Sequence, residues 1–172
     1  MNKPLFVICS RKDEKGRKTV IDLLQTDRYL YPVGRLDYDS TGLVLITNDG
    51  EVANALMHPS NKIYKTYIVT LDSDFKDEDL IKLRKGVKLS DGYTLPAKAR
   101  ILKDAKNRLE ISIYEGRNRQ IRRMFEALNY KVVKLKRVQI GEINLGDLPP
   151  GGYRNLTKEE LNWLKSLIKK DN

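Results

Sequence analysis

Residues 32–50, PVGRLDYDSTGLVLITNDG, set Arg35 and Asp37 just ahead of an apolar, β-branched run. A carboxylate at the head of such a run can stand in solvent as a loop residue, or it can be the one group that does chemistry. Residues 115–126, EGRNRQIRRMFE, crowd Arg117, Arg119, Arg122 and Arg123 around the start of a helix. Helix N-termini carry positive partial charge, so a cluster of cations there calls for an anion. RNA phosphates or a carboxylate are the natural choices, because a guanidinium makes forked hydrogen bonds to both. Taken alone, Asp37 is one loop aspartate among several. Asp49, within Asn-Asp-Gly, reads as a turn former, and Asp39 has no claim beyond exposure to solvent.

Other chemistries lack parts. There is one histidine, His58, and one cysteine, Cys9. Metal sites built on His and Cys, and Cys-His or Ser-His nucleophile pairs, therefore cannot be assembled. His58 falls at a helix end before Pro59 and reads as a local cap or surface residue. No G-x-x-x-x-G-K-[ST] loop is present, and no G-x-G-x-x-G follows a strand, so no nucleotide cofactor and no metal are expected.

The elements that must position these residues follow from the pattern of the chain. KPLFVICS reads as a first strand, RKDEKGRK as a charged turn around Gly16, and TVIDLL as a short helical turn. LVLITNDG reads as one buried strand closed by a tight turn, and EVANALMHP as a short helix stopped before Pro59. KTYIVTL is a strand. DFKDEDLIKLRKGV has acids in its first turn, bases in its last and Gly86 beyond, the signals of a helix start and stop. DGYTLPAKARIL and RLEISIY read as strands, the second with clean alternation. NRQIRRMFEALNY is the clearest helix: Ile121, Met124, Phe125 and Leu128 form one apolar stripe, and Asn129 ends it. KVVKLKRVQIGEI returns as a strand and LPPGG is a loop. Thr157 stands three residues before Glu160, a capping box that opens a final helix. This order predicts an α+β fold.

The balance of 33 Lys/Arg against 23 Asp/Glu gives a net charge of +10 over 172 residues. The excess is concentrated. Thirteen Lys/Arg against four Asp/Glu fall between Lys98 and Arg137, which is nearly all of it. That concentration favours a surface for a polyanion, nucleic acid above all, over charge spread for solubility. No apolar run is long enough to span a bilayer, and the N-terminal apolar stretch is too short for a secretory signal. With a single cysteine, a cytoplasmic location without membrane association is expected.

Two long stretches, GRLDYDSTGLVLITNDG and EGRNRQIRRMFEALNYKVVKLKRVQIGEINLGDLPPGGYRNLT, resemble the pseudouridine synthases that modify ribosomal RNA. The subfamily is the one typified by the small-subunit enzyme and its large-subunit relatives. NKP, EKGRKTVIDLL, YPVGRLD and KTYIVTL fit the same pattern in the same order, from Asn2 to about Leu161. The resemblance implies the pseudouridine synthase fold: a mixed, mostly antiparallel sheet with flanking helices and a central basic cleft. It implies a single catalytic domain over residues 1–172, in two lobes around that cleft. Asp37 would be the catalytic aspartate and Arg35 would help fill the space left by the flipped uridine. Tyr67 would stack on the target base, Ile121 would line the pocket, Arg122 would pair with Asp37, and Lys65 would assist as a basic neighbour. Arg117, Arg119, Arg123, Lys134, Lys136 and Arg137 would contact the RNA backbone.

Two departures from the family stand out. Many relatives carry an S4 RNA-binding domain ahead of NKP. This sequence begins at NKP, as a member without that domain or as a segment of a longer chain. The family also tends to have glycine shortly after NKP, where Leu5 and Phe6 stand here, so the path of the first strand is expected to differ.

The implied reaction breaks the N1–C1′ bond of uridine, turns the uracil and rejoins it through C5. It needs no cofactor. Asp37 would act by attacking C1′ or by taking a sugar proton. Burial of a carboxylate favours its neutral form and a guanidinium partner the charged one, so an arginine belongs beside it. Ribosomal RNA or a pre-ribosomal particle is the expected partner, and the protein is expected to act as a monomer. The main alternative is a non-catalytic rRNA-binding or ribosome-assembly protein. A hydrolase would need paired carboxylates or a histidine that the motifs do not offer.

Overall fold

The computed structural model describes residues 1–170 and contains four helices and mostly antiparallel strands. The chain divides into two compact units, one of Met1–Ile63 with the segment from Val138 onward, the other of Tyr64–Arg137.

In the first unit, β1 (Asn2–Lys3) lies antiparallel to β3 (Thr41–Leu43), and β2 (Tyr31–Val33) lies antiparallel to β4 (Leu45–Thr47). The expected first strand is cut short. Pro4 has no N–H to give to a ladder, and Phe6 turns the chain at φ +61. The chain returns only as a bridge between Ile8 and Thr19. The expected strand LVLITNDG is buried as read but breaks in two. Val44 exchanges backbone hydrogen bonds with Met1, at 2.9 and 3.0 Å, and the next residues pair with β2 instead. TVIDLL forms a single turn that goes no further as helix: Thr19 and Asp22 satisfy each other's backbone N–H through their side chains, and Leu24 N–H donates to Ile21 O at 3.0 Å.

Helix α1 (Gly50–Met57) starts at Asp49, whose carboxylate accepts from the N–H groups of Glu51 and Val52. Asp49 is thus an N-cap, a structural role. His58 ends α1 and caps the 3-10 turn Pro59–Asn61, as the local reading expected.

The second unit is built on β5 (Lys65–Leu71), α2 (Asp77–Lys85), β6 (Lys88–Leu89), β7 (Gly92–Tyr93), β8 (Lys98–Ile101), β9 (Arg108–Ile113) and α3 (Gln120–Ala127). β9 lies between β5 and β8, antiparallel to both, and β6 and β7 form a hairpin. DGYTLPAKARIL is therefore two strands and not one, with Pro96 in the gap. The stripe on α3 is real: Ile121, Met124 and Phe125 are buried. Phe75 packs edge-on against Phe125 and tilted against Tyr130. Asn129 ends this segment in the left-handed region, φ +71.

β10 (Val132–Ile140) runs out of the second unit into the first and turns back as β11 (Ile143–Asn144). The turn needs Gly141, at φ +55, where a Cβ would lie 2.1 Å from the Trp163 ring. Helix α4 (Lys158–Lys170) opens with the expected capping box: Glu160 N–H donates to Thr157 Oγ1, and Thr157 N–H to Glu160 Oε1. Leu164 and Leu167 of α4 join Leu43, Leu45, Ala55 and Ile143 in the core of the first unit.

Candidate active-site loop and arginine-rich helix start

Arg35 and Asp37 lie in the loop between β2 and β3. Gly34 opens it at φ +74, and its carbonyl accepts from the Cys9 thiol at 3.7 Å. Leu36 and Ser40 are buried, while Arg35 and Tyr38 are exposed and Asp37 is half-buried. Alternate residues thus anchor the loop and leave the polar ones accessible. Two backbone bonds fix its shape: Ser40 N–H donates to Asp37 O at 3.0 Å, and Phe6 N–H to Tyr38 O at 2.9 Å.

Lys3 supports this loop from the N-terminal turn. It is fully buried, and its ammonium donates to the carbonyls of Pro4 and Val7 at 2.9 and 3.0 Å. Burial lowers its affinity for the proton, partly offset by neighbouring groups that include the Asp39 and Asp37 carboxylates. Asn2 ties the far end down. Its backbone joins Gly151 and Gly152, and its side chain donates to Leu148 O at 2.8 Å. The residue-by-residue reading gave Asn2, Lys3 and Cys9 no role in the site. The NKP motif was the available signal, since a polar pair at the start of an apolar segment must find internal partners when buried.

In the second unit, Lys65 and Tyr67 stand on β5, opposite Ile113 and Ile111 of β9. Tyr67 is largely covered. The Lys65 ammonium lies close to Gly116, where a Cβ would be 3.7 Å from it. Burial, then repulsion by Arg137, lowers the Lys65 pKa. The next residues lead into α3, whose N-cap position is Arg119 in the left-handed region at φ +49. Gln120 Oε1 accepts from Arg117 N–H at 3.1 Å, closing the turn. Ile121 and Arg122 are buried, with Arg122 8% exposed, and Arg137 is 3% exposed. Arg119, Lys134 and Lys136 are exposed.

The anion that the arginine cluster calls for is partly internal. Arg123 makes a forked pair with Asp91, at 2.9 and 3.2 Å. Arg117 pairs with Glu115 at 2.7 Å and more loosely with Asp91 at 3.6 Å, and it donates to the carbonyls of Gly92 and Tyr93. Glu115 also accepts from Leu95 N–H. Two of the four arginines therefore hold the β6–β7 hairpin to the helix start. Asp91 was invisible in the sequence pattern, because a serine-aspartate-glycine turn looks the same whether or not its carboxylate has a distant partner.

The first unit thus carries an acid on a pinned loop, and the second carries a buried strand with Lys65 and Tyr67 and a basic helix start. The family described as RNA pseudouridylate synthase matches residues 1–127, and the chain belongs to that family. It is 46% identical over 170 residues to ribosomal large subunit pseudouridine synthase B of Bacillus subtilis, covering 96% of this chain and 70% of that protein. It is 41% identical to ribosomal large subunit pseudouridine synthase E of Vibrio parahaemolyticus, over 90% of this chain and 71% of that one. A crystal structure of a pseudouridylate synthase superposes with a TM-score of 0.89 at 37% identity, covering 95% of this chain and 71% of that one. The α+β pseudouridine synthase fold expected from the sequence is therefore the fold observed.

Proposed function

We propose that this protein isomerises a specific uridine of ribosomal RNA to pseudouridine, with Asp37 as its catalytic carboxylate. Membership of the family supports the reaction, and the names of the similar relatives support the substrate. The observation that carries Asp37 is the way its loop is held. The residue is half-buried between two buried anchors, on a backbone fixed by Phe6 and Ser40. Such fixing suits a group that must meet a sugar carbon or proton in one geometry.

The uracil leaves the ribose at N1 and rejoins it at C5, C5 giving up its proton and N1 gaining one, so the reaction is an isomerisation that needs neither redox chemistry nor hydrolysis. The uracil must leave its stack, which costs a few kcal/mol. Arg35, exposed on the loop, fills the gap; Tyr67 and Ile121 receive the base; Arg122 and Lys65 supply positive charge around it. Arg119, Lys134 and Lys136 are the exposed cations best suited to flanking phosphates. Arg117, Arg123 and the buried Arg137 contribute to the RNA face through the segments they fix. The enzyme acts as a monomer in the cytoplasm, on rRNA alone or within a pre-ribosomal particle. A non-catalytic RNA-binding role is not favoured, since it gives a pinned carboxylate no purpose.

The test is tritium release from large-subunit rRNA transcripts and precursor particles labelled at uridine C5. Wild type releases tritium; Asp37→Asn binds the RNA with near-normal affinity and releases none. Normal release by Asp37→Asn removes Asp37 from the mechanism. Binding without release by wild type, on both substrates, returns the protein to the RNA-binding alternative.

A further inference from the structure

Phe6 holds the left-handed conformation at φ +61, which strains any residue with a Cβ and a bulky ring most of all. Burial does not compensate: the residue is 59% exposed and Leu5 beside it is 49% exposed. The ring meets Tyr38, itself 40% exposed, at 5.3 Å between centroids and a tilt of 51°. The Phe6 N–H bond to Tyr38 O ties the two residues together, directly beside Asp37. Cations rim the pair. The Arg17 guanidinium, held by Asp13 in a forked pair at 2.8 and 3.0 Å, is 5.5 Å from the Tyr38 ring centroid, and Arg35 is exposed on the same loop. The turn carrying Arg17 is bound to the segment after Phe6, through Ile8 N–H to Lys18 O and Val20 N–H to Ile8 O. That turn, residues 11–18, has five Lys/Arg against two acids.

A fixed, solvent-facing aromatic pair bordered by cations fits an unpaired base and its phosphate. Every base offers a π-face to stack, and the cations neutralise the backbone. The surplus of positive charge argues for a polyanion over an apolar protein partner.

We propose that Phe6 and Tyr38 form a stacking platform for an unpaired RNA base neighbouring the uridine turned over at Asp37, with Arg35 holding the adjoining phosphate. This rests on the reading of Asp37 above. It assigns Phe6 a role in substrate binding and none in bond breaking, so its loss raises KM and spares kcat.

Phe6→Gly is the informative variant, because glycine accepts φ +61 without strain and the fold is kept. In tritium release from the rRNA transcript, Phe6→Gly raises KM about tenfold, with kcat within about twofold, and Phe6→Tyr restores KM. A second measurement does not use turnover. Phe6→Gly weakens binding of a fluorescein-labelled oligouridylate by a similar factor but leaves unchanged the binding of the same strand with abasic sites. Wild-type KM and wild-type oligouridylate binding in Phe6→Gly overturn the platform. So does a KM rise accompanied by a lowered melting temperature that Phe6→Tyr fails to restore, which marks a merely structural role. If wild type releases no tritium while the base-dependent difference persists, base stacking by Phe6 stands and the catalytic function falls, so the two failures are told apart.

Discussion

Two of the forked arginine–carboxylate pairs, one from each unit, are built from the same groups to different ends. In the first unit Arg154 meets Glu160 at 2.7 and 3.0 Å, and the carboxylate also accepts from the N–H groups of Thr157 and Asn144. The Glu160 side chain is nearly covered, and this set of donors, Arg154 foremost, holds its pKa down to about 2. In the second unit Arg123 meets Asp91 at 2.9 and 3.2 Å, but nearly half of the Asp91 side chain is open to water. The covered pair locks a helix to a strand. The open pair holds its arginine in an orientation that a competing anion can take over, because exposed ion pairs contribute little to stability. The same contrast separates the two functional segments. Backbone bonds from an N-terminal turn that the buried Lys3 closes fix the Asp37 loop, whereas ion pairs open to water tether the arginine-rich helix start.

The largest effect expected from breaking the fixed side is that of Lys3→Met. Methionine fills much of the space but leaves the Pro4 and Val7 carbonyls without their donor, and buried unsatisfied acceptors cost about 1–3 kcal/mol each. Removing a desolvated charge offsets part of this, so a net loss of about 3 kcal/mol is expected in urea unfolding. Turnover on rRNA falls with it, because the loop loses its support. A variant as stable and as active as wild type contradicts the role given to Lys3.

Glu160→Gln comes next, at about 2 kcal/mol at neutral pH, the scale of hydrogen bonds to a charged group. Its pH dependence gives the sharper measurement. The folded pKa is depressed from 4.5 to about 2. The stability it contributes is therefore fully present above pH 4.5 and is lost as pH falls through that window towards 2. Wild type loses this part on acidification; Glu160→Gln has none to lose, so the two stability curves converge. Parallel curves contradict the lock.

How much of this was legible in the sequence follows the range of the forces involved. The α3 stripe, the Thr157–Glu160 box and the stop before Pro59 depend on residues within a turn or two of each other, and all three appear where the pattern put them. Asp37 became a candidate only when two long motifs were taken together. The burial of Lys3 comes from chain segments some forty residues away, and nothing in its local pattern separates it from a surface lysine. Phe6 runs against its own backbone preference, so propensity extended a strand through a residue that ends it. Asp91 lies 26 and 32 residues from the two arginines it serves. Pairings of that span are fixed by the completed fold, and so the sequence showed that the arginines call for an anion, phosphate or carboxylate, but not that Asp91 supplies part of it.

The smallest expected effect on the fold discriminates most sharply between lock and placeholder. Asp91→Asn keeps the shape of the side chain and one acceptor for Arg123 but removes the charge that Arg117 and Arg123 share. Arg123 retains its bond to Asn118 O, and Arg117 its pair with Glu115 and its bonds to Gly92 and Tyr93. The melting temperature should therefore barely move. RNA affinity should rise a few-fold at low salt, since the guanidinium groups no longer give up an internal partner to reach phosphate. The salt dependence should steepen by about 0.7 in log–log slope for each arginine that gains a contact with single-stranded RNA. Adding Arg123→Gln to Asp91→Asn should cancel much of that gain. If Asp91→Asn instead melts early and binds RNA no better, the open pair is a lock of the same kind as Arg154–Glu160, and the arginine-rich segment is scaffold rather than RNA surface.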